Sequence, residues 1–123
     1  MNNAPHISIV DDDTSCRMAL GSLVRSLGYR PSMFSCAEDF LASSEIDKTD
    51  CLISDVQMPG IDGLEMQRML CQEGRDIPTI FITAYPKESV RKRAMAAGAV
   101  CFLAKPYNPQ AIIDCIEQIV LKG

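Results

Sequence analysis

Residues 6–28 read HISIVDDDTSCRMALGSLVRSLG, and the reading of this stretch decides the fold. His6–Val10 is a short, largely apolar run, the composition of a strand covered on both faces. Three aspartates, Asp11, Asp12 and Asp13, end it. Cys16, Leu20, Leu23, Val24 and Leu27 then recur at the spacing of one helix face, and Gly28 stands where a helix C′ residue belongs. The unit is strand, acidic turn, helix, stop.

The same alternation continues along the chain. Further apolar runs occupy Arg30–Phe34, Cys51–Ser54, Thr79–Thr83 and Val100–Leu103. Thr79–Thr83 and Val100–Leu103, like the first run, read as strands buried on both faces. Pro31 places Arg30–Phe34 at a sheet edge, because proline cannot donate to a ladder. Ser35-x-x-Glu38 has the form of a capping box before a short helix with Phe40 and Leu41, and Asp62-x-x-Glu65 has it ahead of Met66, Met69 and Leu70. Pro86 suits the first turn of a helix carrying Val90, Ala94 and Ala97, with Gly98 after it. Asn108-Pro109 opens a last helix, whose Ile112, Cys115, Ile116, Ile119 and Val120 form one stripe. Strict alternation predicts an α/β fold in three layers, a parallel sheet with helices on both faces.

The 123 residues fit one domain, 1–123, with no room for a second. Hydrophobic residues make up 47% and charged residues 23%, an ordinary globular balance, and a net charge of −4 leaves no basic field to hold nucleic acid. No apolar run nears the roughly 20 residues of a membrane helix, and the N-terminus lacks the basic and apolar regions of a signal peptide. The six cysteines (Cys16, Cys36, Cys51, Cys71, Cys101, Cys115) contain no CxxC pair, and the single His6 is distant in sequence, so zinc-ligand spacing is absent. They are expected to be reduced, structural residues of a cytoplasmic protein.

In a parallel sheet all strands end on one rim, and ligands bind there where the strand order reverses. The first run delivers Asp11 and Asp12 to that rim, the third Asp55, the fourth Thr83 and the fifth Lys105. Each has a bland reading alone, as a turn former, a cap or a solvated lysine. Their joint placement points to chemistry. Crowded carboxylates repel one another and recruit a hard divalent ion, and Mg²⁺ combines one or two carboxylates with phosphate oxygens. A carboxylate beside a clamped phosphoryl group can act as its nucleophile. That role falls to Asp55, with Lys105 and Thr83 answering the charge on the phosphoryl oxygens.

The motifs IVDDD, SDVQMPGIDGLEM, FITAY and AMAAGAVCFLAKP, with the closing helix, resemble the receiver domain of bacterial two-component response regulators over essentially the whole chain. SCAEDFLA, IPTIFITAY and GAVCFLAKP give the resemblance a FixJ/NarL-like flavour. It implies a CheY-like, flavodoxin-like fold: a doubly wound (βα)5 sheet of five parallel strands in the order 2-1-3-4-5. It further implies that Asp55 is the phosphoacceptor, charged by a sensor histidine kinase, and that Mg²⁺ (or Mn²⁺) is held by Asp12, Asp55 and the backbone carbonyl of Gln57, with Asp11 on a metal-bound water. Thr83 matches the switch hydroxyl, Lys105 the invariant lysine, and Lys105-Pro106 the peptide that is usually cis. Phe102 matches the aromatic that rotates inward on activation, while Gln57 and Tyr85 fall where phosphoryl lifetime is tuned. Asp13 lies at a variable position.

Such a domain is not an enzyme beyond its own phosphorylation and slow self-dephosphorylation. The resemblance implies a homodimer on phosphorylation, through the surface of the fourth helix, fifth strand and fifth helix. Output, here transcription, would run through an output domain or a DNA-binding segment absent from these residues; the alternative is a stand-alone receiver with a protein-binding output. Two other readings compete. Asp11-x-Asp13-x-Ser15 resembles the start of haloacid-dehalogenase-like phosphohydrolases, with Asp11 as nucleophile, but Ser15 departs from their pattern and no acidic metal pair follows a later strand. A flavodoxin-like FMN carrier would share the fold, yet the loop after the first strand is acidic where a flavin phosphate needs Ser, Thr or Gly donors.

Overall fold

Runs of β-branched and apolar residues become the strands β1 (His6–Val10), β2 (Arg30–Phe34), β3 (Cys51–Asp55), β4 (Thr79–Thr83) and β5 (Cys101–Ala104) in the computed structural model, which describes residues 4–121. The ends of the expected 1–123 unit, residues 1–3 and 122–123, lie outside the described residues. The amphipathic stretches become α1 (Thr14–Ser26), α2 (Ala37–Leu41), α3 (Gly63–Gln72), α4 (Glu88–Ala96) and α5 (Pro109–Val120), with one 3₁₀ turn at Ser44–Asp47. All pairings are parallel and the order is β2-β1-β3-β4-β5. The order therefore reverses between β1 and β3, and the loops that follow these two strands flank the crevice there.

Strand periodicity sorts the core into two faces. Ile7, Ile9, Cys51, Ile53, Ile80 and Ile82 pack with Leu20 and Val24 of α1 and with Ile112, Cys115 and Ile116 of α5. On the opposite face Val10 and Leu52 meet α2 and α3, and Phe81 meets Leu64 of α3 and Ala94 of α4. β1, β3 and β4 are buried at every position. β5 is not. Its residues are half-buried or exposed, contrary to the double-sided burial expected of it, because it is an edge strand paired with β4 alone. β2 is the other edge, as Pro31 requires.

Helix starts follow side-chain capping where an oxygen is correctly placed. Asp13, Asp62 and Asn108 accept from the amides of Cys16, Glu65 and Gln110 and open α1, α3 and α5. Two expected starts differ. Ser35 does not cap α2; Cys36 is the N-cap residue without a side-chain cap bond, and Glu38 turns away to accept the amide of Ile61. Pro86 lies outside α4, whose N-cap is Lys87, because a tight turn from the Lys87 amide to the Tyr85 carbonyl consumes that segment.

The cysteines require a correction. Cys101 and Cys115 form a disulfide, with Cα atoms 6.4 Å apart, while Cys16, Cys36, Cys51 and Cys71 are free. The physical reason is that α5 returns across the sheet and sets the middle of its apolar stripe over the start of β5. A separation of 14 residues with no CxxC spacing hides that contact in the sequence.

At Gly63, the first residue of α3, the chain presses on the site-bearing strand. An added Cβ would be driven into the Asp55 carbonyl oxygen and would stand 3.0 Å from Phe81 Cε1 and 3.1 Å from Ser54 Oγ. Backbone cannot yield as a flexible side chain does. Gly63→Ala is expected to cost about 2 kcal/mol and to lower Tm by roughly 8 °C in thermal denaturation; an unchanged Tm would contradict this packing.

Candidate functional site

Val10 at the end of β1 pairs with Ser54 of β3, so Asp11 and Asp55, the next residues on the two strands, stand side by side at the crevice. Asp11 is fully buried. Its Oδ1 accepts the Asp13 amide at 2.9 Å, and its carbonyl accepts Arg17 Nη1 at 2.6 Å. Asp55, 6% exposed, has its Oδ1 bonded by the Gln57 amide at 3.2 Å. Lys105 arrives from the end of β5 and bridges the two: its Nζ donates to Asp11 Oδ2 at 3.1 Å and to Asp55 Oδ2 at 2.9 Å. The Lys105–Pro106 peptide is cis. Asp12 points outward, exposed, and carboxylate oxygens of Asp11, Asp12 and Asp55 all lie within 4.8 Å of one another.

The charge balance of this group is uneven. Three carboxylates face one ammonium. Carboxylates so close repel one another, and one ammonium does not offset three. Burial pushes the Asp55 carboxyl up, Lys105 draws it part of the way back, and Asp11 adds to the rise. Burial opposes the charge on Lys105, but the carboxylates of Asp55 and Asp11 overcome it and hold the ammonium above the ordinary lysine range. Lys105 is therefore a permanent cation. The Cys16 thiol beside it is pushed up to about 12 by burial and Asp11, so it stays protonated and is no nucleophile at neutral pH.

The oxygen-only donor set suits a hard divalent cation such as Mg²⁺, and an exposed Asp12 leaves a side open to water and substrate. Thr83 is buried at the end of β4; its hydroxyl donates to Gln57 Oε1 at 3.4 Å and accepts the Tyr85 amide at 3.0 Å. Gln57 and Thr83 thus stand in contact, while the Tyr85 ring is 63% exposed and only its amide engages the site. Phe102 is separate from the carboxylates. It sits half-buried beside Phe81, its register partner, within the cluster formed with Val90 and Ala94.

Two contacts were not legible in the residues. Arg17 holds the Asp11 carbonyl from the first turn of α1, and Glu38 anchors the loop between β3 and α3 through Ile61. The only signal for either was a charged residue near a helix start. The geometry also bears on the rival readings: Asp13 is spent as a helix cap, and the rim is acidic where a flavin phosphate would have to sit.

Comparison with known proteins agrees with this architecture. Residues 7–117 match the family model of the response regulator receiver domain. Response regulator protein TmoT of Ectopseudomonas mendocina is 42% identical over 111 residues, which cover 90% of this chain and 50% of that protein. Transcriptional regulatory protein FixJ of Bradyrhizobium diazoefficiens is 32% identical over 120 residues, 98% of this chain and 58% of that protein. The solved structure of response regulator StyR superposes with a TM-score of 0.89 at 42% identity, covering 96% of this chain and 60% of that one. The chain spans about half the length of the curated relatives it matches. With its strand order, its carboxylate rim and a family match over nearly its whole length, this chain belongs to the receiver domains of two-component response regulators.

Proposed function

We propose that Asp55 accepts a phosphoryl group from a sensor histidine kinase, in a reaction that requires Mg²⁺ or Mn²⁺. The observation that carries this reading is the Lys105 ammonium shared between Asp11 and Asp55 inside a group of three carboxylates. An Asp55 oxygen attacks phosphorus, and the bond from phosphorus to the donor breaks with its electron pair leaving on the donor. Asp12, Asp55 and the Gln57 carbonyl would hold the cation, with Asp11 on a water bound to it, and it would supply charge neutralisation for the phosphoryl oxygens. Lys105 moves from its carboxylate pair to one of those oxygens, and the Thr83 hydroxyl exchanges Gln57 for another. Gln57 and Tyr85 then govern how long the acyl phosphate survives, by orienting or shielding water.

The departure of Thr83 opens space beside β5, into which Phe102 moves, since packed cores prefer discrete arrangements to gradual deformation. The α4–β5–α5 surface changes with it and promotes a homodimer. The protein is a signalling component and turns over no external substrate beyond its own phosphorylation and slow self-dephosphorylation. It works in the cytoplasm and directs transcription through an output domain or DNA-binding segment outside these residues. Among the described residues no helix is long and apolar enough to cross a membrane.

Incubation with acetyl phosphate and Mg²⁺ should add one phosphoryl group, seen by mass, and Asp55→Asn should take up none; uptake at the wild-type rate would refute the assignment. Asp12→Ala should weaken Mg²⁺ binding by about tenfold or more, a loss of about 1.4 kcal/mol, and should reduce the rise in Tm that saturating Mg²⁺ gives the wild type. An unchanged calorimetric titration would speak against the ligand set. Sedimentation velocity should show that phosphorylation raises the apparent mass of the wild type but not of Thr83→Ala, although both carry the label. Equal association of the two would break the relay through Thr83.

A further inference from the structure

β5 is the shortest strand of the sheet: four residues at an edge, hydrogen-bonded to β4 alone. Helices flank it on both faces, α4 at Phe102 and α5 at Cys101 and Leu103, and Cys101 and Cys115 meet across the α5 contact. Cys115 is 7% exposed on the sheet-facing stripe of α5, whereas Cys101 is half-buried, next to Phe102 in sequence. Cys101 Sγ lies 4.0 Å from Gln118 Oε1, and Gln118 is one wall of an open cavity of about 190 Å³ that Pro78, Val100 and Ile119 complete. Cys101 is thus the more exposed end of the pair and Cys115 the more enclosed.

We propose that Cys101 and Cys115 are a reversible thiol–disulfide site, exchanging with low-molecular-weight thiols of the glutathione class, whose closed form fastens β5 to α5 beside Phe102. Reversibility rests on the receiver reading above, because a cytoplasmic setting keeps disulfides transient and regulatory. On closing, the Cys101 thiolate attacks one sulfur of the small disulfide and expels the first small thiol, leaving a mixed disulfide at the accessible position. The Cys115 thiolate then attacks Cys101 Sγ and expels the second. Two protein thiols and one small disulfide become one protein disulfide and two small thiols, and the two protein protons pass to the leaving thiolates. Excess small thiol runs the sequence backwards from Cys101. The closed bond fixes β5, the strand that carries Phe102, to α5 on the face opposite the one on which Phe102 packs toward α4, so the reduced form is the one in which the strand is free to rearrange.

The test uses the full chain equilibrated over a series of reduced-to-oxidised glutathione ratios, quenched by alkylation and mapped by peptide mass. Amide hydrogen exchange is followed at residues 101–104 and 109–120. Cys101 and Cys115 should lose and regain alkylation together, while the exposed Cys71 provides the comparison. Exchange in both segments should be about tenfold faster in the reduced form. Cys115→Ala, and Cys101→Ser as the variant at the less buried end, should exchange like the reduced chain at every ratio. A pair that never closes, one that stays closed in excess thiol, a lone glutathione adduct at Cys101, or equal exchange in the two forms would each overturn the proposal. Neither readout uses a phosphodonor, so failure here is distinct from a failure of Asp55 to accept a phosphoryl group.

Discussion

Lys105 Nζ stands 3.1 Å from Asp11 Oδ2 and 2.9 Å from Asp55 Oδ2, and the rest of the rim is arranged around that shared ammonium. Two buried carboxylates cannot remain ionised side by side without such a partner, and removing it would leave each facing the other in a poorly hydrated crevice. The contact also depends on completed topology. Lys105 is 94 residues from Asp11 and 50 from Asp55, so the bridge forms only when β1, β3 and β5 lie in one sheet. Compensation is still incomplete, since Asp12 adds a third carboxylate against one cation. The rim is left with an excess of negative charge.

The scaffold fixes this group mainly with backbone hydrogen bonds. The Val56 amide reaches Ile82, the Lys105 amide reaches Thr83, and the Gly63 amide reaches Val56 at 2.8 Å, so the loops after β3 and β5 are both tied to β4, the strand between them. Glu38 secures the β3–α3 loop from a second direction. Thr83 is the exception in kind: its hydroxyl reaches Gln57 Oε1 at 3.4 Å, a long contact for a hydroxyl donor.

Much of this was readable in the sequence because it rests on local or periodic signals. The strands of the sheet interior are largely apolar or β-branched, Asp62 and Asn108 mark helix starts by their side-chain chemistry, and the rule that parallel strands end on one rim was enough to gather Asp11, Asp55, Thr83 and Lys105. The failures share a cause. Ser35-x-x-Glu38 has the pattern of a local cap, but the Ile61 amide offered Glu38 a tertiary partner. Val100–Leu103 has the composition of a central strand, yet position in the sheet, which composition does not encode, left it at the edge. Cys101 and Cys115 are brought together by the return of a helix over a strand, and spacing carries no trace of that.

The run of three aspartates after β1 gives three identical side chains three separate tasks: Asp11 is a buried counter-charge to lysine, Asp12 faces solvent at the carboxylate cluster, and Asp13 caps α1. Loss of any one of the three codons produces one and the same shortened protein, in which Thr14 inherits the capping position. Threonine caps helices well, so the lesion would not lie at the cap. It would lie in phase. A helix turns by about 100° per residue, and α1 drawn back by one position would swing Leu20 and Val24 away from Ile7 and Ile9. A tract that looks redundant in the gene is a fixed spacer between a strand end and a helix face, tolerant of a changed letter more readily than of a missing one.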